Sequence, residues 1–156
     1  ILLGTRQSNP WIQPFDPLLA VRWKYDPPRE SYYPSDITTP SDPDKFRSSV
    51  DGGKTHDGYA SIAFLPNLGG TGNVLIIMGS GGAAVNAALA FLTNEASMKQ
   101  LRSRLNSPSQ PTFPNFEALI RIEKGDSLSR SGTVVLARSP QPLAPAANQT
   151  AAQSHP

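Results

Sequence analysis

The sequence predicts an α/β domain with a mixed sheet in two or three layers and one major helix. The clearest observation is the apolar run at 74–78, which passes through glycines into an alanine-rich stretch with helical spacing. This order of residues predicts a βα unit over 73–105. A weaker copy of the same order opens the chain and predicts a second βα unit over 1–19. Two alternating runs predict a C-terminal β-hairpin over 116–138.

Composition limits the classes of protein to consider. A chain of 156 residues with 38% apolar residues suits one domain with a real core. The 14 basic and 12 acidic residues leave a net charge of +2 and are spread along the chain, so we predict no direct nucleic-acid binding. No apolar run approaches the ~20 residues that cross a bilayer, so we predict no membrane span. The absence of cysteine excludes thiolate catalysis, disulfides and cysteine zinc sites.

The first βα unit begins with an apolar strand at 1–4. Ser8 is placed to cap a short helix, and Pro10 is tolerated in its first turn because no intrahelical N–H bond is lost there. Pro14 and Pro17 should end that helix early, since proline removes a backbone donor.

The middle of the chain alternates strands with loops. Residues 20–25 alternate apolar and basic side chains, which predicts an edge strand or a half-buried strand. The stretch 26–57 is rich in Pro, Ser, Thr and Asp and predicts a long surface loop, with a short strand at 46–50. Residues 59–65 alternate again and predict a central strand.

The second half carries the main helix and the hairpin. A tight loop at 66–73 should lead into the strand of the second βα unit. Residues 83–105 have apolar side chains at helical spacing, and 94–97 offer capping residues that predict either one bent helix or two in succession. The runs 116–123 and 133–138 predict the two strands of the antiparallel hairpin.

These elements predict a single domain over 1–139, followed by a disordered tail over 140–156. The tail is composed mainly of Pro, Ala, Gln, Asn and Ser, and it cannot bury enough apolar surface to offset the entropy of ordering. The chain begins at Ile1, inside an apolar run and without an initiator methionine, so we expect it to be the C-terminal part of a longer protein.

The strongest candidate site is the turn at 79–82, which with the next two residues fits the G-x-G-x-x-A form of a dinucleotide fingerprint. Backbone N–H groups between a strand and a helix can hold a phosphate. The acidic ribose anchor is missing, because Glu95 falls inside helical sequence. We therefore favour glycines that allow a tight strand-to-helix turn over a nucleotide site. The candidate ligand-binding residues from the two turns are Gly4, Thr5, Arg6, Ser8, Asn9, Gly79, Ser80, Gly81 and Gly82.

Signatures of enzymes are not found, and we predict that the chain is not an enzyme. Ala83 stands where a Walker lysine would follow Gly82. Met78 occupies the position of the glycine that a nucleophile elbow at Ser80 would require. The two histidines lie in the proline-rich loop and in the tail, so a serine triad lacks a well-placed base.

No metal or cofactor is predicted. Asp42 and Asp44 supply oxygen ligands of the kind that calcium prefers, but the glycine and glutamate of a calcium-binding loop do not follow them. We interpret these aspartates as part of a solvated loop.

Several segments together resemble the C-terminal α/β domain of a group of uncharacterised bacterial proteins. The match spans most of 1–138. The segments that carry it are 1–11, 59–75, 87–88, 91–95 and 116–119. In related members, similar domains follow a winged-helix DNA-binding domain or a membrane segment. The two βα motifs are also distantly similar to modules of surface-layer proteins.

The resemblance implies a sensory or interaction module with no catalytic role, whose partners are an upstream domain of the same chain and an unknown small ligand or protein. Parent proteins of this kind include transcriptional regulators. The family pattern has a polar Gly-Thr-Glu where the main helix opens, whereas this chain has Ala84-Val85-Asn86, and this difference favours packing over binding at that turn. The alternatives are a nucleotide-binding enzyme that uses the 79–82 turn and a structural module of the cell envelope.

Overall fold

The computed structural model describes residues 1–47, 50–51, 54–106, 112–123 and 132–140. The strands are β1 (Leu2–Leu3), β2 (Val21–Asp26), β3 (Ser31–Asp36), β4 (Val50–Asp51), β5 (Lys54–Pro66), β6 (Asn73–Gly79), β7 (Phe116–Glu123) and β8 (Gly132–Arg138). The helices are α1 (Gly82–Thr93), α2 (Glu95–Arg104) and two 3-10 helices (Pro10–Leu18 and Pro27–Arg29). These elements confirm the predicted α/β class.

A mixed sheet forms the centre of the fold, with strand order β1-β6-β5-β7-β8 and with β4 paired to β5. β1 runs parallel to β6, and Leu2 lies opposite Ile76. The pairs β5–β6, β5–β7 and β7–β8 are antiparallel. The predicted hairpin of β7 and β8 is confirmed, while its connecting turn lies outside the described residues.

The sheet is covered on both faces, which makes three layers. Alternate residues of a strand point to opposite faces, and Ile77 packs under α1 and α2 whereas Ile76 packs under the first 3-10 helix. The buried face of α1 is lined by alanines and Phe91, so the helix lies close to the sheet. The second face is completed by the hairpin of β2 and β3, whose Val21 packs with Leu119.

The segment after β1 differs from the prediction. The helix is a 3-10 helix that continues through Pro14 and Pro17, so the expected early end is wrong. The φ angle that proline imposes suits a 3-10 helix, and the sparser hydrogen bonding of this short helix tolerates the missing donors. Its N-cap is Asn9, whose side chain accepts a hydrogen bond from the Trp11 N–H at 3.2 Å, and Ser8 is not the cap.

The predicted surface loop at 26–57 is also wrong in part, because it contains β3. This strand pairs with β2 along its full length, and Pro34 lies opposite Trp23. The two-stranded sheet leaves β3 an outer edge, where a residue without an N–H is tolerated. The short strand expected at 46–50 begins instead at Val50 and pairs with β5.

Charged side chains of β7 and β8 attach this hairpin to the main sheet. Glu117 of β7 is almost fully buried and accepts hydrogen bonds from the backbone N–H groups of Ala20 and Val21 at 2.9–3.1 Å. Arg138 of β8 donates to Glu117 at 3.1 Å and to Asp36 at 2.9 Å. Val21 and Asp36 are paired at the open end of the hairpin, so this end is held against β7 and β8.

The main helix is interrupted as predicted. α1 ends at Thr93, and Asn94 caps α2 by accepting a hydrogen bond from the Ser97 N–H at 3.0 Å. No helix among the described residues is long and apolar enough to cross a membrane. Apart from Pro140, the predicted tail lies outside the described residues.

Candidate functional site

A cleft lies where the two predicted strand-to-helix turns meet. Because β1 and β6 are parallel neighbours, their carboxyl ends reach the same edge of the sheet, where open α/β sheets bind ligands. The cleft has a volume of about 630 Å³. Seven of the nine predicted residues line it, namely Gly4, Thr5, Ser8, Gly79, Ser80, Gly81 and Gly82.

The turn after β1 is closed by its own side chains. Ser8 Oγ accepts a hydrogen bond from the Thr5 N–H at 2.9 Å and donates to the Thr5 carbonyl at 3.1 Å. Gly4 has φ +101°, and a Cβ there would overlap the Ser8 hydroxyl. Asn9 donates to the Leu3 carbonyl at 3.2 Å. The polar groups of this turn are therefore largely used within the turn.

In the turn after β6, one glycine is required for packing. A Cβ on Gly79 would lie 3.1 Å from the Ala84 Cβ and 3.1 Å from the backbone nitrogen of Val85. The predicted packing role of the glycines is thus supported at this position. Ser80 faces the neighbouring strand, where its hydroxyl accepts from the Tyr59 N–H at 2.9 Å and donates to the Tyr59 carbonyl at 3.1 Å.

The other two glycines of this turn are not required by packing. A Cβ on Gly81 or Gly82 would have nothing within 4 Å. Gly81 is the N-cap of α1, with extended backbone, and no side chain caps the helix. Since the first N–H groups of a helix have no intrahelical acceptor and carry the positive end of its dipole, this end of α1 presents donors to the cleft.

Two predicted residues do not line the cleft. Arg6 points away from it and forms an ion pair with Asp16, with 2.9 Å between Nη1 and Oδ2. The Asn9 side chain is used between the Leu3 carbonyl and the Trp11 N–H. Both residues help to form the β1 turn, and neither faces the cleft.

Tyr32, which is not among the predicted residues, lines the cleft from the β2–β3 hairpin. Tyr32 also lines a neighbouring cleft of about 310 Å³, together with Ser80 and Gly81. Tyr32 lies in a proline-rich stretch whose local sequence favours a loop, so the sequence gives no signal for its position in the cleft.

An ionic cluster holds the hairpin beside this second cleft. Asp26 accepts two hydrogen bonds from Arg47 at 2.9 and 3.0 Å and one from Arg29 at 2.8 Å. The hydrogen bonds from Arg47, followed by that from Arg29, hold the pKa of Asp26 at about 2, although burial acts in the opposite direction. The carboxylate is thus ionised at neutral pH and fully occupied by its two arginines.

The side chains of the main cleft are uncharged. Its polar groups come from Thr5, Gln7, Tyr32 and Asn86, and its apolar surface comes from Leu3 and Val85. The Ser80 hydroxyl is already hydrogen-bonded to the backbone of β5, which is poor placement for a nucleophile. Within the described ranges, no three His, Asp or Glu side chains come together as a metal site would require. The arrangement can bind a ligand through backbone donors and neutral side chains.

Comparisons with known proteins returned no match. No protein-family model, curated protein or solved structure matches this chain. The geometry of the cleft is therefore the main basis for a functional proposal.

Proposed function

We propose that the chain is a non-catalytic ligand-binding module of a larger bacterial protein, and that its ligand occupies the cleft between the β1 and β6 turns. The observation that carries the proposal is the uncapped N-terminus of α1, which opens into this cleft beside two glycines that packing does not require. The resemblance to domains that accompany regulatory or membrane segments supports a sensory role in such a protein.

The chemistry of the cleft suggests the kind of ligand. Uncapped helix N–H groups favour an acceptor oxygen or a single negative charge. The absence of a charged side chain from the lining favours a ligand whose remaining surface is neutral and polar. The volume of about 630 Å³ lies within the range of small-molecule sites, roughly 300–1,000 Å³. A small polar metabolite with one acceptor group fits these features.

Thermal-shift measurements on the full chain test the proposal, with free amino acids, monosaccharides, NAD, NADP, ATP and GTP as probes. A bound ligand should raise the melting temperature in a concentration-dependent way. Gly81→Asp should abolish the shift, because its carboxylate would cap α1 and occupy the donors. Ala90→Asp places the same charge on the exposed face of the same helix and should preserve the shift. A ligand that binds both variants equally well would show that the cleft is not the site.

A nucleotide-dependent enzyme is the second candidate. It is favoured by the open space at Gly81 and Gly82, which a phosphate could approach. Isothermal titration with NAD, NADP, ATP and GTP separates the two candidates. Micromolar affinity that Gly81→Asp abolishes, together with turnover of the nucleotide or of a co-substrate, would replace the non-catalytic proposal. Binding without turnover would retain it.

A further inference from the structure

A third cleft lies on the other side of the β1 turn, between that turn, the first 3-10 helix and β2. Its volume is about 280 Å³. Three cationic side chains line it, from Arg6, Arg22 and Lys24, together with a single carboxylate, Asp16. The positive charges are therefore concentrated at this cleft, since the rest of the chain has nearly equal numbers of basic and acidic residues.

The carboxylate is shared between the two arginines. Asp16 Oδ2 lies 2.9 Å from Arg6 Nη1, and Asp16 Oδ1 lies 3.5 Å from Arg22 Nη1. Arg22 Nη1 is buried, and among the described residues no acceptor lies within hydrogen-bonding geometry of it. Buried donors are seldom left unpaired, because the lost hydration is not recovered. Apart from this long ion pair, the Arg22 guanidinium makes no hydrogen bond among the described residues, and its side chain is 33% exposed, so part of it is accessible from the cleft.

The rest of the cleft supports a preformed site. Trp23 and Met78 supply an apolar wall beside the cations. The orientation of the Trp23 indole is fixed by a hydrogen bond that its Nε1 donates to Ser61 Oγ at 3.0 Å. A wall of low polarity strengthens a charge-assisted hydrogen bond at its edge.

We propose that this cleft binds an oxyanion, the carboxylate or phosphate group of a small ligand. Arg6, Arg22 and Lys24 carry three positive charges against the single negative charge of Asp16. The accessible part of the Arg22 guanidinium and the Lys24 ammonium supply the donors. Guanidinium groups are suited to carboxylate and phosphate oxygens because their donors form a planar fork. The proposal is independent of the ligand in the first cleft, since none of these charged residues lines that cleft.

The fluorescence of Trp23 provides the readout. Trp11 is 74% exposed and lies outside the cleft, so Trp11→Phe leaves Trp23 as the single tryptophan of the chain. Titration of this variant with inorganic phosphate and with acetate, at constant ionic strength, should give a saturable change in emission. The anion that saturates at lower concentration identifies the preferred chemistry. A response that sodium chloride reproduces at the same ionic strength would overturn the proposal.

Three variants that each remove one positive charge test whether the anion binds in this cleft. Arg22→Gln and Lys24→Gln should each weaken anion binding about tenfold, as expected for the loss of a charge-assisted contact. Lys99→Gln removes the same charge from the exposed surface of α2 and should leave the affinity unchanged. Lys24 is exposed, so its variant tests the site even where Arg22→Gln unfolds. Equal weakening by all three variants, or by none, would contradict a specific site.

Discussion

The two strand-to-helix turns at the edge of the sheet follow the same sequence plan but are completed in different ways. In both, a serine hydroxyl accepts from the N–H and donates to the carbonyl of a single residue. Ser8 does so within its own turn, to Thr5, whereas Ser80 does so across to the neighbouring strand, at Tyr59. The first turn is closed onto itself, and the second is anchored to β5.

This difference determines what each turn leaves available. In the first turn, Asn9 also caps the following 3-10 helix. In the second turn, no side chain caps α1, and Gly81 and Gly82 face open space. A glycine-rich turn can therefore serve structure or binding, and the distinction depends on where the neighbouring hydroxyl is directed. The open turn is the one to which we assign the ligand.

The largest effect is expected from Gly4→Ala. Its positive φ and the overlap of a Cβ with the Ser8 hydroxyl should lower the free energy of unfolding by roughly 2–4 kcal/mol, measured by urea denaturation. The matched change in the open turn is Gly82→Ala, where a Cβ meets nothing. It should be neutral or stabilise the chain by about 0.5 kcal/mol. Equal losses in the two variants would remove the distinction between the turns.

Gly79→Ala should have the next largest effect. A Cβ at this position would lie 3.1 Å from atoms of Ala84 and Val85, so α1 would have to move away from β6. We expect a loss of roughly 1–3 kcal/mol in unfolding free energy. The same measurement on Gly81→Ala, two residues later, is the control, and it should cost no more than about 0.5–1 kcal/mol, because alanine is a poorer N-cap than glycine but its Cβ meets no atom. A large loss in Gly81→Ala would show that the open half of the turn is also under packing constraint.

Much of this arrangement was predictable from local patterns. Alternation identified β2, β5, β7 and β8, and the possible capping residues Thr93, Asn94 and Ser97 indicated a break in the helix. Alternation reports which face of a strand is buried but not which strand lies beside it, so the parallel pairing of β1 with β6 needed the structure. The β3 strand was missed because its Pro34 and the prolines before it favour a loop on local grounds.

The candidate site was predictable in its backbone more than in its side chains. Glycines and capping residues indicate turns through their own conformational preferences, which is why seven of the candidate residues lie together at the lining of one cleft. The direction of Arg6 depends on Asp16, ten residues away in the chain, and the position of Tyr32 depends on the hairpin. Contacts of this kind are set by tertiary packing and leave no periodic signal.

A smaller effect is expected from removing the Ser8 hydroxyl, whose two hydrogen bonds to Thr5 close the first turn. Ser8→Ala deletes both hydrogen bonds to Thr5 and should cost about 1 kcal/mol in urea denaturation. Thr71→Ala, in the exposed loop before β6, is a control that removes a surface hydroxyl and should change stability by less than about 0.5 kcal/mol. If these hydrogen bonds close the turn, Ser8→Ala should also increase hydrogen exchange at the Thr5 N–H. Unchanged exchange of the Thr5 N–H would mean that Gly4 and Asn9 are sufficient to keep the first turn closed.

The smallest effect has the opposite sign. Gly81→Asp supplies the missing N-cap of α1, and an aspartate at this position should stabilise the chain by a few tenths of a kcal/mol, up to about 1 kcal/mol. Its extended φ of −176° is open to any residue, so no strain offsets the gain. A binding role explains why glycine and not a capping residue stands at this position, since binding sites often sacrifice stability for function. A loss of stability in Gly81→Asp would show that the helix donors are already satisfied, and the reason for assigning the ligand to the open turn would then disappear.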